Sequence, residues 1–340
     1  MSQAPFVFRD AERVIRFGDG VAADAAELLR DFGFGGDWVL LTTERARAQI
    51  PPGSLDAAVA DLDVAAGPVP EAAAALLDQV GGRDVVAFGG GRVVDTAKAV
   101  TAVGGGRVAA IPTTLAGSTF TPFHRMPAGH QGYGSAARPA LAVCDPALMA
   151  SAPRDTLTAT AMNALAHGIE ALYGPLANPV TEGASLRGAP LILDALESGR
   201  PDAGDLSLGA VLGGWSVGVA AGLVVHHACC QTLVGVLRTP HAPTNAVMLP
   251  RSIAFMADRA PGPLGLLATA LGEPDVAAVA ARVARVAAGS GATTLADVGV
   301  TSADLDRVLD AVMEHPGIAN TPGDPSRGDI RALLESAGPG

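Results

Sequence analysis

Two short segments of this 340-residue chain carry side chains that can bind a metal ion or move a proton. The first segment holds Asn163 and His167, and the second, HHACCQTLVGVLRTPH, holds His227, Gln231 and His241. Residues four apart share one face of a helix, so Asn163 and His167 form one pair and His227 and Gln231 another. Imidazole binds metals and titrates near neutral pH, whereas glutamine donates hydrogen bonds without titrating. The segments indicate a metal site, an acid/base site, or a site that has lost one of its parts.

Each histidine also has a purely structural interpretation. A lone buried histidine is more often a hydrogen-bonded core residue than a metal ligand, so the histidines alone do not decide. His226 lies about a quarter-turn or more from His227 around a helix and is expected to pack against its neighbours. His315 is expected at the surface.

A third segment, DVVAFGGGRVVDTAKAV, is typical of an anion-binding loop. A buried strand runs into Gly89, Gly90 and Gly91, and a helix follows. The first N–H groups of a helix have no partner within it, and glycines let the backbone approach a phosphate closely. The spacing matches neither GxGxxG nor a Walker motif, so phosphate binding and a plain tight turn both stay open here.

The next loop, within AAIPTTLAGSTFTP, groups hydroxyl side chains. They belong to Thr113, Thr114, Ser118, Thr119 and Thr121. Alone, such a loop is best interpreted as a set of turn-capping hydroxyls. Loops at the carboxyl ends of parallel strands also line nucleotide sites, so the triple glycine and this loop together favour a cofactor cleft.

The elements that must position these residues divide the chain in two. Up to about residue 150, short apolar runs alternate with helical patterns, which predicts β-α-β units and a mainly parallel sheet. The predicted strands are 13–17, 38–42, 84–88, 107–111 and 141–145, and the predicted helices include 21–33 and 71–82. After Pro153 only helical patterns follow. We expect an α/β nucleotide-binding domain over 1–152 and an all-helical metal and substrate domain over 153–340.

Composition limits the partners. The chain has 34 acidic and 23 basic residues and a formal net charge of −11, which disfavours binding to nucleic acid. Three cysteines are too few for a disulfide framework. No signal peptide and no membrane span are expected, so a cytoplasmic protein with a small-molecule substrate is predicted. Lys98 is the only lysine in the sequence.

Five segments, taken in their order and spacing, resemble the maleylacetate reductase type of the iron-containing alcohol dehydrogenase superfamily. They are FGGGRVVDTAKA, IPTTLAGSTFTP, DPALMASAP, AMNALAHGIEALYG and HHACCQTLVGVLRTPHAPTNAVMLP. The similarity extends nearly from end to end. It implies a dehydroquinate synthase-like fold with an N-terminal nucleotide-binding α/β domain, an all-α C-terminal domain, a cleft between them and usually a homodimer.

The resemblance implies NAD or NADP as cofactor, held by the triple glycine and the PTT segment. The implied cofactor-binding residues are Thr43, Gly89, Gly90, Gly91, Arg92, Asp95, Thr113, Thr114 and Ser118. Thr43 lies near the place where relatives often have an acidic residue that binds the adenosine ribose. Without that carboxylate, rejection of the NADP phosphate is expected to be weak, so either cofactor fits.

The resemblance also implies a chemical site on the helical domain. Metal-dependent members use an aspartate and three histidines at the positions of Asn163, His167, His227 and His241, and maleylacetate reductases share the asparagine. Three neutral imidazoles can hold zinc or iron with an open position, but the lost carboxylate weakens an iron(II) site and a metal-free enzyme is an open alternative. The implied catalytic residues are His167, His227, Gln231 and His241.

Three positions depart from the pattern of these reductases. Gln231 replaces a histidine that relays a proton, which removes a general acid worth about 10² to 10⁴ in rate. Arg92 replaces a serine, and it either clamps a phosphate or blocks the cofactor. Thr119 replaces an acidic residue, and the loop HRMPAGHQGYGSAARP lacks the expected lysine.

The leading prediction is an NAD(P)H-dependent reductase of an unsaturated or keto acid, with hydride transfer in the cleft and Arg125 or Arg238 bound to a substrate carboxylate. The three departures motivate an alternative, a repurposed non-redox lyase, dehydratase or cyclase of a specialised biosynthetic pathway. A non-catalytic relative is a third hypothesis. The three retained histidines argue against it.

Overall fold

The computed structural model describes residues 6–10, 13–130, 137–220 and 222–340, and of residues 6–10 only the backbone. The chain forms two compact units. The first comprises Met1–Ala152 with Ala203–Ser207, and the second Pro153–Asp202 with Leu208–Gly340. Residues 203–207, expected in the helical domain, therefore group with the first unit. Part of the lysine-free loop, 131–136, and part of the N-terminal segment, 1–5 and 11–12, lie outside the described residues.

The described part of the first unit contains a seven-stranded sheet. Its strands are β1 (Phe6–Asp10), β2 (Arg13–Phe17), β3 (Trp38–Thr42), β4 (Ala60–Asp63), β5 (Asp84–Gly89), β6 (Val108–Pro112) and β7 (Leu141–Cys144). The strand order is β1-β2-β7-β6-β5-β3-β4. Only the pair β1–β2 is antiparallel, with Phe6 opposite Phe17, and the other pairs are parallel. The predicted, mainly parallel sheet is confirmed.

Both faces of the sheet are covered. The helices of the first unit are α1 (Ala25–Asp31), α2 (Glu44–Arg47), α3 (Val69–Val80), α4 (Gly91–Gly104) and α5 (Pro146–Met149). Successive side chains of a strand point to opposite faces, so Val85 and Ala87 pack in the core with α3 and α4, while Val86 and Phe88 pack in the core with α1. Because both faces are buried, the central strands are continuously apolar.

The described residues of the second unit form helices joined by turns and loops, without a strand among them. Its helices are α6 (Arg154–Ala171), α7 (Pro179–Glu197), α8 (Ala203–Val219, which begins in the first unit), α9 (Val225–Leu237), α10 (His241–Met256), α11 (Pro261–Leu271), α12 (Val276–Ala287), α13 (Leu305–Met313), α14 (Pro316–Ala319) and α15 (Arg327–Ser336). Helix α6 is buried on every side from Ala161 to Ala171. A Cβ on Gly213 of α8 would lie 2.5 Å from the Ala164 carbonyl oxygen, so glycine there lets the two backbones touch.

No helix in the described residues is by itself long and apolar enough to cross a membrane. The consecutive helices α11 and α12, bent by 60°, meet the length and composition criteria only when taken together.

Candidate active site

The three glycines join β5 to α4 and are packed so tightly that side chains would collide there. A Cβ on Gly89 would lie 2.7 Å from Val93 Cγ2, and one on Gly91 would lie 2.9 Å from Ala116 Cβ. Gly90 is the N-cap of α4 and has no side chain to satisfy the first N–H groups of the helix. Those groups suit an anion, because the helix dipole attracts negative charge to its N-terminus.

The hydroxyl loop, residues 113–121, packs against this turn. The Thr113 N–H donates to the Gly89 carbonyl oxygen at 3.0 Å, and a Cβ on Gly90 would lie 3.1 Å from Thr114 Cγ2. Thr114 Oγ1 is buried and has no hydrogen-bond partner among the described residues. Because buried polar atoms are rarely left unsatisfied, this hydroxyl is suited to a ligand. The glycine turn and the hydroxyl loop together fit the phosphates of a dinucleotide.

Lys98 fastens the hydroxyl loop to α4. Its fully buried ammonium group donates to the carbonyl oxygens of Ser118 (2.9 Å), Thr121 (3.2 Å) and Phe123 (2.7 Å). Nζ also lies 2.7 Å from Asp95 Oδ1. Burial lowers the pKa of Lys98, and the Asp95 carboxylate opposes that shift. Lys98, the only lysine of the chain, therefore holds the hydroxyl loop in place through hydrogen bonds to its backbone.

Of the other residues that the resemblance implies for cofactor binding, Asp95, Ser118 and Thr43 form hydrogen bonds within the protein, whereas Arg92 is exposed. Asp95 Oδ2 accepts from Ser118 Oγ at 3.0 Å, so both residues are engaged within the protein. Thr43 follows β3 and caps α2 by accepting the Ala46 N–H at 3.3 Å. Arg92, the second residue of α4, is exposed. Their binding roles stay predictions.

The second unit brings three of the sequence-predicted site residues together. His167 on α6 and His227 on α9 are buried, and their rings stack with centroids 4.5 Å apart and planes inclined by 5°. His227 Nε2 lies 3.3 Å from Asn163 Oδ1. The predicted proximity of Asn163, His167 and His227 is thus seen in the structure.

Glu170, which sequence reasoning missed, completes this group. Its side chain is 1% exposed, and Oε2 lies 2.5 Å from His227 Nδ1. Oε1 accepts the backbone N–H of His227 at 3.2 Å. The spacing in the sequence could have indicated Glu170, because it follows His167 by three residues and shares its helix face. We call Asn163, His167, Glu170 and His227 the histidine cluster.

The cluster favours uncharged side chains. Burial raises the pKa of Glu170 to about 7, although nearby N–H groups and His226 oppose the shift. Burial, with the charges of His241 and His315, lowers the pKa of His227 to about 3. A protonated Glu170 donating to His227 Nδ1 satisfies both tendencies. His227 then carries its own proton on Nε2, facing Asn163 Oδ1.

His226 forms a separate buried network, as expected of a packing residue. Its Nε2 lies 2.9 Å from Asn245 Oδ1 and its Nδ1 lies 3.2 Å from Ser252 Oγ. Asn245 Nδ2 in turn donates to the His241 carbonyl oxygen at 2.8 Å, which fixes the start of α10. Burial lowers the pKa of His226 to about 3.

The other two predicted site residues lie towards the surface. His241 is exposed at the first position of α10, and its charge acts on His227. Gln231 is partly buried on α9, and its Oε1 lies 3.2 Å from His315 Nε2. The expectation that His315 is a surface residue was wrong. His315 is half-buried because it caps α14, which packs against α9.

Acidification from pH 6.5 towards 4.5 is expected to lower the free energy of unfolding. In the native state His226 and His227 have pKa values of about 3 and stay unprotonated in this window. Unfolding exposes both side chains to water, and together they then take up two protons. Glu170 acts in the opposite sense, since its native pKa of about 7 lets the folded protein hold a proton that the unfolded chain releases. The net uptake of one proton corresponds to a loss of about 1.4 kcal/mol per pH unit.

Urea denaturation at closely spaced pH values measures this slope. Glu170→Gln removes the opposing group and is expected to steepen it towards two protons. A stability that rises on acidification through this window would contradict the protonation states assigned to the cluster.

The histidine geometry does not fit one metal ion bound to both stacked rings. An imidazole nitrogen holds a metal in the plane of its ring at about 2.0 to 2.1 Å, and nearly parallel stacked planes share no point within that reach. Asn163 supplies no negative charge. Within the described ranges no group of three or more His, Cys, Asp or Glu side chains is placed to hold a metal. The ligand set His167, His227 and His241 stays a prediction. It requires the His167 ring to rotate out of the stack, because the hydrogen bond to Glu170 keeps the His227 ring in place.

Comparisons with known proteins identify the family of the chain. Residues 157–338 match the Fe-containing alcohol dehydrogenase family, C-terminal. Maleylacetate reductase 1 of Rhodococcus opacus is 37% identical over 262 residues, which cover 74% of this chain and 72% of that protein. The crystal structure of maleylacetate reductase from Rhizobium sp. strain MTP-10005 covers 98% of both chains with 29% identity and a TM-score of 0.82.

A more distant solved structure shares the fold alone. Sulfoacetaldehyde reductase from Bifidobacterium kashiwanohense, in complex with NAD+, is 20% identical over 98% of both chains, with a TM-score of 0.80. The predicted architecture, a parallel sheet with flanking helices followed by a helical region, is confirmed by these neighbours. With its matched C-terminal region and its nearly full-length likeness to solved relatives, the chain belongs to the Fe-containing alcohol dehydrogenase family, in the branch of the maleylacetate reductases.

Proposed function

We propose that this protein reduces maleylacetate, or an unsaturated or keto acid close to it, with NADH or NADPH. The chain is an NAD(P)-dependent oxidoreductase that acts on a small molecule. The observation that carries the proposal is the buried histidine cluster, built on α6 and α9 of a chain whose relatives are maleylacetate reductases. The non-redox alternative is not favoured, since the relatives are reductases along the chain's length.

The first unit binds the nucleotide. The N–H groups at the start of α4, the Thr114 hydroxyl and the exposed guanidinium of Arg92 bind its phosphates, and Lys98 keeps the hydroxyl loop in place. Bound there, the reduced nicotinamide supplies the hydride. No carboxylate stands at Thr43, so both NADH and NADPH are expected to serve.

The second unit handles the negative charge that reduction creates. Maleylacetate has a carbon–carbon double bond conjugated with a ketone, so hydride addition to carbon moves an electron pair onto the ketone oxygen. Two neutral groups stabilise that oxyanion by hydrogen bonds. One is the side-chain amide of Gln231, and the other is the Nε2–H of His227, which Asn163 Oδ1 and the oxyanion share. Water then supplies the proton that forms the second C–H bond, since Gln231 does not titrate.

An exposed arginine, Arg238 or Arg125, binds a carboxylate of the substrate. Arg238 ends α9 in a left-handed conformation (φ 61°) and is exposed. Such a conformation is uncommon for residues other than glycine and is often found at functional sites. Arg125, the other candidate, is exposed in the first unit.

No step of the proposed reaction passes through a metal ion, since the stacked rings of His167 and His227 do not fit one metal ion between them. The homodimer stays a prediction, and the molar mass from light scattering would test it.

Gln231→His is the variant that tests the proton supply. Wild type is expected to oxidise NADH and NADPH with maleylacetate, and the histidine variant to raise kcat about tenfold, at the low end of what a general acid contributes. Oxidation is followed by the absorbance of the reduced nicotinamide, with and without added zinc or iron. Gln231→Asn, which keeps an amide, is the control.

Two results would contradict the proposal. Turnover confined to the histidine variant would mean that the hydride site survives but the natural reaction is a different one. No oxidation of either cofactor by wild type or variant, across several unsaturated and keto acids, would point to the non-redox alternative.

A further inference from the structure

His315 has its proton position fixed by the backbone. It is the N-cap of α14, and its Nδ1 accepts the Gly317 N–H at 3.0 Å. A ring nitrogen that accepts a hydrogen bond carries no proton, so the neutral imidazole must carry its proton on Nε2. Nε2–H lies 3.2 Å from Gln231 Oε1 and donates to it.

This donor fixes the orientation of the Gln231 side chain. An amide can turn its oxygen or its nitrogen towards a neighbour, and the network of partners decides which. Since His315 Nε2 is a donor, the atom facing it must be Oε1. Gln231 Nε2 and its two N–H groups then point away from His315, and no described residue accepts a hydrogen bond from them.

The distance between His315 and α9 is held by close packing. A Cβ on Gly317 would lie 3.1 Å from the carbonyl oxygens of Leu223 and Val224, just before α9. Asn320 Nδ2 also donates to the Leu223 carbonyl oxygen at 3.4 Å. The short segment that begins with His315 therefore packs against the residues just before α9.

We infer that His315 is a positioning residue that holds the Gln231 amide with its N–H groups turned towards the substrate oxygen. The inference rests on the proposed function. Gln231 lies one helical turn after His227 on the same face of α9. Its amide N–H groups and the His227 Nε2–H, which is shared with Asn163 Oδ1, can therefore serve the same oxyanion. The Gly317 N–H thus fixes the tautomer of His315, and His315 in turn fixes the orientation of the Gln231 amide. That amide donates hydrogen bonds at the position where related reductases have a titrating histidine.

A double-mutant cycle separates positioning from a merely structural role. His315→Asn keeps an N-cap acceptor for Gly317 but is too short to reach Gln231. We expect it to lower kcat about tenfold, the equivalent of one well-placed hydrogen bond, while the KM for NADH is unchanged. In the background of Gln231→Leu, which has no amide to orient, the same change is expected to have no further effect.

An equal fall of kcat in both backgrounds, or no fall in the first, would overturn the inference. Nitrogen NMR of the His315 ring gives a readout that does not depend on activity. The Nε2–H tautomer is expected, and the Nδ1–H tautomer would overturn the inference.

If wild type does not oxidise NADH, the proposed function fails but the positioning role is still decided. The side-chain amide resonances of Gln231 are expected to shift in His315→Asn and to stay in place in a variant of an exposed residue of α12, Arg285→Gln. Unshifted amide resonances in His315→Asn would show that His315 does not hold Gln231.

Discussion

Glu170→Ala is expected to lower the free energy of unfolding by about 3 kcal/mol, because it leaves His227 Nδ1 and the His227 N–H without partners in a buried site. It is also expected to lower kcat about a hundredfold, since the orientation and tautomer of His227 depend on that carboxyl group. Urea denaturation and steady-state kinetics on the same preparation measure both effects.

Glu170→Gln is the matched control. A glutamine has the shape of a protonated glutamate, so its oxygen can accept the His227 N–H while its amide donates to Nδ1. We expect this variant to stay within about 1 kcal/mol of wild type and to keep kcat within a few-fold. Losses as large as those of the alanine variant would show that Glu170 works as a carboxylate and that the cluster is not neutral.

Lys98→Met is expected to be the other severe change, at about 3 to 5 kcal/mol, because it removes one partner of a buried ion pair and three hydrogen bonds to carbonyl oxygens. The hydroxyl loop loses its attachment to α4, so the Kd for NADH is expected to rise at least about tenfold with it. Denaturation and a fluorescence titration with NADH measure the two effects.

Asp95→Asn is the control for Lys98→Met, because it removes the charge pair between the two residues but keeps the lysine. It keeps an acceptor for Ser118 Oγ and leaves the three carbonyl contacts of Lys98 in place, so the effect on the Kd for NADH is expected to be small. An unchanged Kd in Lys98→Met would mean that the hydroxyl loop does not take part in nucleotide binding.

Much of the sheet could be predicted from the sequence because its central strands are buried on both faces. Residues 13–17 and 38–42 are strands with the predicted bounds, and the strand predicted at 107–111 is shifted by one residue. The strand Ala60–Asp63 was missed because it lies at the edge of the sheet, where alternating aspartates replace an apolar run. The strand Phe6–Asp10 was also missed. It pairs only with β2, at the other edge.

The site was predictable where residues share a helix face and unpredictable where distant segments meet. The spacing of Asn163 and His167, and the family pattern that added His227, led to three members of the cluster. His315 could not be placed in this way, because 84 residues separate it from Gln231 and only the packing of α14 on α9 brings the two together. Lys98 was noted as the only lysine, but its role as the anchor of the hydroxyl loop depends on three carbonyl groups that carry no sequence signal.

The central claim is hydride transfer from the nicotinamide to the substrate, and isotope transfer measures it most directly. NADH deuterated at C4 of the nicotinamide ring, on the face that the enzyme uses, is incubated with the protein and maleylacetate. The product is then analysed by mass spectrometry and NMR. We predict a saturated keto diacid that carries one deuterium on carbon. Maleylacetate consumed without deuterium in the product, or not consumed at all, would contradict the account.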